Sequence, residues 1–415
     1  MHFLKKKLAH IKKKQYFCDK FQFQFEICQK SFKNMVTREL QTELLRLSEK
    51  WQVISVTGPR QSGKTTLCKM AFPNYAYVNF EHIPTRDKVL QDIDVFLDQY
   101  PNGLIIDEAQ HIPEIFSYIQ VRVDANKDLR YVLSGSSDFL MMQGITQSLA
   151  GRVAVRRLLP LSLNEIKAIN PYSTDELLVR GFYPGVWGDG REPQDVYESY
   201  YETYLDRDVR QIINVQNITA FRRFVVLLAS RVGSEFNAQD LSKSVGVSNQ
   251  TISNWMAILE TSYTAFRLQP FYKNIGKRLV KTPKVYFYDT GLVCWLLGIT
   301  SAQDLEKHPM RGALFENMVV VEKLKQCYNA GKTSNLFFYR DQSQNEVDII
   351  QESGLNIEAY EVKSAKNFNS DFLSTIHYLE KVMPAAIVRS AVIYDGTEEI
   401  QTQINGLFNY RTLFS

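Results

Sequence analysis

The run Val53-Ile54-Ser55-Val56-Thr57-Gly58-Pro59-Arg60-Gln61-Ser62-Gly63-Lys64-Thr65-Thr66-Leu67-Cys68 decides the fold. Its first five residues read as a short buried strand, and the apolar residues after Thr66 open a helix. Between them lies GxxxxGK[ST] in the strand-loop-helix setting that the motif needs. Glycines let such a loop wrap a phosphate with its N–H groups, and the helix N-terminus adds partial positive charge. Gly58, Pro59, Arg60, Gln61, Ser62, Gly63, Lys64, Thr65 and Thr66 are therefore the candidate nucleotide contacts. Lys64 is expected on the β- and γ-phosphates of ATP, and Thr65 on Mg²⁺. A Gly-rich turn that binds nothing is the competing reading, disfavoured because motif and flanking elements agree.

A second strand, Tyr75 to Phe80, precedes Gly103-Leu104-Ile105-Ile106-Asp107-Glu108-Ala109, three apolar residues running into two acids. About 45 residues after a P-loop, this reads as a Walker B strand. Asp107 is the expected metal ligand, and Glu108 the catalytic group that polarises the attacking water. The strand Leu129 to Ser134 ends in hydroxyls, of which Ser134 or Ser136 is a candidate γ-phosphate contact; a Ser-rich turn explains them equally well. Arg152, in Leu149-Ala-Gly151-Arg152, is a candidate arginine finger acting across a subunit interface, which implies self-association. An ordinary surface arginine competes with that role.

These residues resemble the prokaryotic ATPases of the AAA+/STAND type, which read TGPRQSGKTT, LIIDEAQ, SGSS and AGR…LPLSLNEI. The resemblance spans about residues 37 to 400. It implies an α/β fold with a parallel P-loop sheet in the order 5-1-4-3-2, then a helical segment, a winged helix, and an end domain that looks like the PD-(D/E)xK (restriction-endonuclease-like) fold.

In the middle of the chain Tyr197, Tyr200, Tyr201 and Tyr204 share a helix face leading to Asp206-Arg207-Asp208, and a packed lid helix is favoured over a base-stacking platform. Residues 237 to 259, with Gly246 in the tight turn, read as a helix-turn-helix. Its second helix carries Asn249, Gln250 and Asn254 but no Lys or Arg, which weakens a DNA-reading role. Lys273, Lys277, Arg278, Lys281 and Lys284 read as a wing lying along phosphates. A winged helix that packs on the ATPase and relays its nucleotide state is the alternative.

Toward the C-terminus, strands are predicted at Leu336 to Arg340, Asn345 to Ile350 and Ile357 to Lys363. Glu361 and Lys363, one residue apart, share a strand face, and Asp348 falls on a neighbouring strand. With Glu316 on a preceding helix, these residues match the PD-(D/E)xK pattern: Glu316, Asp348 and Glu361 as metal ligands, Lys363 as the group that orients or deprotonates water. An ion-paired sheet edge is the competing reading.

The composition fits such an assembly. Of 415 residues 45% are hydrophobic and 23% charged, as in an ordinary multidomain globular chain. No apolar run approaches a membrane span. Five scattered cysteines suggest neither disulfides nor a zinc site, and hence a cytoplasmic setting. Residues 1–34 hold nine Lys and two acids, a net +7 against +4 for the whole chain, so the remaining 381 are acidic by three. That tail reads as a nucleic-acid arm or, more simply, as an overlong start, because a helix pattern of Leu40, Leu44 and Leu47 begins after Met35.

The expected division is a basic tail over 1–34, a P-loop ATPase core over 35–160, a helical lid over 161–235, a winged helix over 236–282 and a PD-(D/E)xK-like domain over 283–415. Two functions fit it. One is an ATP-hydrolysing switch controlling a nuclease-like domain, with DNA as partner; the other is an ATP-gated regulatory or scaffold protein without nuclease chemistry.

Overall fold

The computed structural model describes residues 36–135, 138–166, 171–188, 190–205, 218–271, 282–383, 386–402 and 405–414. Arg38–Ser415 forms one compact unit, and every contact below lies inside it. The basic tail, Ser136, Asp206 to Asp208 and the wing residues Lys273, Lys277, Arg278 and Lys281 fall outside the described residues.

Five strands, β1 (Val53–Thr57), β2 (Ala76–Asn79), β3 (Leu104–Asp107), β4 (Tyr131–Gly135) and β5 (Val153–Arg157), form a parallel sheet in the order β2-β3-β4-β1-β5. This is the expected 5-1-4-3-2 order. Strand β1 is buried along its whole length because helices cover both sheet faces. Alternate residues divide between them. Ile54, Val56, Ile105 and Val132 pack under helices α1 (Leu40–Ser48) and α2 (Lys64–Ala71), against Leu40, Leu44 and Leu67. Val53, Leu104, Ile106 and Leu133 face helices α3 (Glu114–Ala125) and α4 (Asp138–Ser148), against Ile115, Phe116 and Ile145. The parallel registers pair Thr57 with Gly135 and Asp107 with Ser134, so the P-loop, the Walker B acid and the end of β4 share one sheet edge.

The helical segment begins with α5 (Thr174–Arg180), closed at its start by a Ser173/Glu176 capping box. At Gly181, with φ +63°, a Cβ would sit 2.0 Å from the Tyr197 hydroxyl, so only glycine fits. On α6 (Pro193–Tyr200), and just after it, Tyr197, Tyr200 and Tyr201 are buried, Tyr201 against Trp295, so this face packs inward and presents no open stacking surface.

Three helices follow: α7 (Ile218–Ala229), α8 (Ala238–Val245) and α9 (Asn249–Thr261). Gly246 (φ +85°) ends α8, and the Ser248 side chain caps α9 by accepting from Thr251 N. An antiparallel ribbon, β6 (Ala265–Leu268) with β7 (Lys284–Phe287), then closes on them. Strand β7 therefore completes this unit instead of opening the C-terminal domain at 283, as expected from the sequence. Lys284, assigned to a phosphate-facing wing, is 2% exposed. The correction has a physical reason, since pairing with β6 turns its side chain inward toward carboxylates.

Helix α10 (Thr290–Leu296) leads to the C-terminal domain, in which α11 (Arg311–Asn329) covers a six-stranded mixed sheet, β12-β13-β11-β10-β9-β8. Strands β8 (Leu336–Arg340), β9 (Glu346–Ser353) and β10 (Asn356–Lys363) run antiparallel in sequence. After helix α12 (Ser374–Val382), strand β11 (Ile387–Tyr394) pairs parallel to β10; β12 (Ile400–Gln401) and β13 (Asn405–Asn409) extend the sheet beyond β11. Among the described residues no helix is long and apolar enough to cross a membrane.

Candidate functional site

Gly58 has φ +146°, and a Cβ there would lie 2.1 Å from the carbonyl oxygen of Leu158; Gly63 has φ +89°. The P-loop thus owes both its turn and its closeness to the end of β5 to missing side chains. Lys64 is the first residue of α2, and its ammonium donates to Gly58 O at 2.9 Å and Pro59 O at 2.7 Å. Burial lowers its pKa to about 8, against the opposing pull of Glu108 and Asp107. The Ser62 hydroxyl is buried without a hydrogen-bond partner. The fold thus gathers a loop of backbone donors, a buried cation and an unpaired hydroxyl, which suits a phosphate chain.

The loop is braced by Arg38, which sequence reasoning missed. Its guanidinium donates to Ser62 O at 2.6 Å and Leu159 O at 2.7 Å, and lies 3.0 Å from a Glu165 oxygen. No motif surrounds Arg38, so the sequence carries no signal for it.

At the Walker B strand, Asp107 accepts from Thr65 Oγ1 at 2.7 Å and from the Tyr77 hydroxyl at 2.9 Å. Ser134 donates to the other Asp107 oxygen. Ser134 is fully buried and is the register partner of Asp107, so here its hydroxyl orients the acid. Thr65 and Asp107 together offer the hard oxygens that Mg²⁺ takes. Glu108 stands next in left-handed backbone (φ +53°, ψ +46°) and accepts from the Gln110 side chain. For a non-glycine residue that conformation costs about 1–2 kcal/mol, a strain of the kind that concentrates at working sites.

Arg152 lies elsewhere. It precedes β5, whose Val153 pairs with Val53 at the start of β1, so it sits at the sheet edge opposite the P-loop. Its guanidinium makes a two-pronged contact with Asp124, at 2.7 and 2.8 Å. It cannot serve the nucleotide site of its own chain.

Two other segments touch the nucleotide site. Pro184 lies 3.9 Å from where a Cβ on Gly63 would stand, which places the 181–185 turn against the P-loop. In that turn Phe182 N donates to Asp289 at 2.7 Å. The Tyr263 hydroxyl meets Thr57 Oγ1 at 3.0 Å, one residue before Gly58. Burial raises the pKa of Asp289, while the Tyr197 hydroxyl and the Phe182 amide oppose the shift.

The C-terminal sheet does bring Glu316, Asp348 and Glu361 toward one another, but lysines already engage them. Lys284 Nζ lies 2.9 Å from Glu316, 2.5 Å from Glu346 and 3.8 Å from Asp348. The Tyr286 hydroxyl also donates to Glu316, and Val362 N to Asp348 at 2.9 Å. Lys363 pairs with Glu361 at 2.6 Å. Burial, then Glu316 and Glu361, push the Asp348 carboxyl well above the usual range. Among the described residues no group of three His, Cys, Asp or Glu is arranged to hold a metal ion. The expectation of Glu316, Asp348 and Glu361 as a ligand set is corrected on this ground, since Lys284 pairs with Glu316 and approaches Asp348 while Lys363 pairs with Glu361. Sequence reasoning puts Lys284 in a wing and does not single out Glu346; Glu346, two residues before Asp348 on β9, has a strand spacing that could have revealed it.

Comparison with known proteins matches three stretches of the chain. Residues 50–167 match the AAA domain family, 172–303 the domain of unknown function DUF8612 and 311–412 the domain of unknown function DUF4143. An uncharacterized protein of Mycobacterium tuberculosis is 29% identical over 374 residues, 86% of this chain and 80% of its own length. One of Methanocaldococcus jannaschii is 24% identical over 359 residues, 78% of this chain and 76% of its own. Among solved structures, a Walker-type ATPase of Pyrococcus abyssi overlaps 62% of this chain and 94% of its own at 12% identity, with a TM-score of 0.44. Loop geometry, Walker B acids and family match agree: residues 50–167 form an AAA-type P-loop ATPase domain.

Proposed function

We propose that the chain is an ATP-hydrolysing switch, in which the nucleotide state of the P-loop domain is passed to a winged helix made by α7 to α9 with the β6–β7 ribbon, and to the C-terminal domain. Lys64 binds the phosphate chain, Thr65 and Asp107 hold Mg²⁺, and Glu108 orients and deprotonates the attacking water. The metal ion supplies charge neutralisation on the phosphates when bound. Ser134 and Tyr77 keep the Asp107 carboxylate in place, and Arg38 keeps the loop in shape.

The observation that carries the switch is the hydrogen bond between Tyr263 and Thr57. Tyr263 follows the second helix of the helix-turn-helix, and Thr57 precedes the first P-loop glycine. Any movement of the loop on binding phosphate is felt at that hydroxyl. The 181–185 turn offers a second route, from Gly63 through Phe182 to Asp289, two residues beyond β7.

Of the two outputs, regulated docking of a protein or nucleic-acid partner is favoured over nucleic-acid cleavage. The ion pairs of Lys284 favour it, and so does α9, where the exposed Gln250 and Asn254 bond each other at 2.9 Å. Arg152 fits a role toward the nucleotide of a second copy. The test is hydrogen exchange on Glu108→Gln, which should bind ATP without turnover: protection over 238–261 should rise with ATP. Identical exchange with and without ATP would refute the relay.

A further inference from the structure

The C-terminal carboxylates are arranged around a cation that belongs to the chain. Glu316 comes from α11, Glu346 and Asp348 from β9 and Glu361 from β10; Asp348 and Glu361 are buried, Glu316 and Glu346 partly so. Opposite them stand Lys284 from β7, Lys363 from β10 and Arg340 from β8, which pairs with Glu346 and also with Glu235 at 2.6 Å. Lys284 alone reaches acids on both α11 and β9, and it is 2% exposed. One Glu361 oxygen, Oε2, remains buried without a hydrogen bond. This is the donor chemistry a hard divalent ion takes, with an ammonium seated among the donors.

We infer that Lys284 is an internal cation standing in the place of a divalent metal ion, and that Lys284 and Mg²⁺ or Mn²⁺ are mutually exclusive in the C-terminal domain. The argument is electrostatic. A buried carboxylate cluster needs compensating positive charge, and an ion pair made inside the chain supplies it without dehydrating a metal. A divalent ion added beside the ammonium would meet like charge at contact distance in a medium that screens poorly. Two of the acids are also committed elsewhere, Glu361 to Lys363 and Glu346 to Arg340. The inference stands whether or not the P-loop hydrolyses ATP, because it concerns only β7, α11, β9 and β10.

It also explains why a matched motif yields no metal site. Four residues in PD-(D/E)xK order are necessary for such a centre, but they do not specify what fills it. Here the filling comes from a strand that lies before the motif in sequence.

The experiment counts bound Mn²⁺ by electron paramagnetic resonance in the full-length chain carrying Asp107→Asn, without nucleotide, so that the P-loop does not contribute. The parent with Lys284 should bind no ion at this site and gain no thermal stability from Mn²⁺. Lys284→Met should bind one ion per chain, more than about tenfold tighter than the parent, with a rise in Tm on adding Mn²⁺. Adding Glu316→Gln should abolish that binding. Lys284→Gln, which keeps a hydrogen-bond donor, serves as the second variant should the methionine fail to fold. A parent that binds one ion in a Glu316-dependent way would overturn the inference, as would folded Lys284 variants that bind none.

Discussion

The hydroxyls of Tyr263 and Thr57 are 3.0 Å apart and buried, joining the chain just after α9 to the last residue before the P-loop. Tyr263 holds left-handed backbone (φ +55°), uncommon for a bulky residue, so the contact is kept against local strain. Tyr263→Phe should cost about 1 kcal/mol of stability and leave ATP affinity within a few-fold. It should remove the ATP-dependent protection of 238–261. Protection that survives the substitution would assign the relay to another path.

Arg38 gives a larger prediction. Arg38→Ala strands Glu165, Ser62 O and Leu159 O in a buried setting and should destabilise by about 3–5 kcal/mol, with a clear loss of ATP affinity. Arg38→Lys should not rescue binding, because one ammonium cannot span both carbonyls and the acid. Thermal unfolding and ATP titration read both, and full affinity in Arg38→Lys would refute the bracing role.

How much of this was legible follows from where the information sits. The strands of the P-loop sheet were readable because both faces are buried, so Val53 to Thr57 and Leu104 to Ile106 form unbroken apolar runs that end in motifs. Leu40, Leu44 and Leu47 likewise announced a helix. The convergence of Glu316, Asp348 and Glu361 was accessible from strand alternation. What fills the centre was not. Lys284 follows a basic run and reads as solvent-facing until β7 pairs with β6 across the intervening residues. The same holds for Ser134, whose role follows from its register with Asp107. Both depend on pairings between distant segments, which local spacing does not encode.

Arg152 and Asp124 form an exposed pair, of a kind that solvent screening leaves with little net stabilisation, so the arginine is easily released to another partner. If it serves the nucleotide of a second copy, turnover per chain should rise with protein concentration. Arg152→Ala should bind ATP normally, turn it over slowly, and recover activity when mixed with Lys64→Ala chains. A specific activity independent of concentration, with no recovery on mixing, would reduce Arg152 to a surface ion pair.

Lys323 supplies a pH test. It is buried on α11 with its ammonium 3.9 Å from the Tyr360 ring centre, Glu358, Arg389 and Cys327 around it. Burial lowers its pKa from 10.5 to about 8. Between those values the unfolded chain binds the extra proton, so this residue makes stability rise as pH goes from about 8 to 10.5. Lys323→Met should flatten that slope and stabilise the protein near pH 7 by up to about 3 kcal/mol. Denaturant unfolding at pH 7 and pH 10 checks both, and an unchanged slope would contradict a buried, destabilised ammonium.

The central claim, that Lys64 and Glu108 divide binding from hydrolysis at one P-loop site, is tested most directly by measuring ATP affinity and turnover side by side in two variants. Lys64→Ala should lose ATP binding, because the buried ammonium that now holds Gly58 O and Pro59 O is the charge that phosphates require. Glu108→Gln should bind ATP as tightly as the parent and hydrolyse it slower by about two orders of magnitude or more. Equal ATP affinity in Lys64→Ala and the parent, or undiminished turnover in Glu108→Gln, would contradict the account.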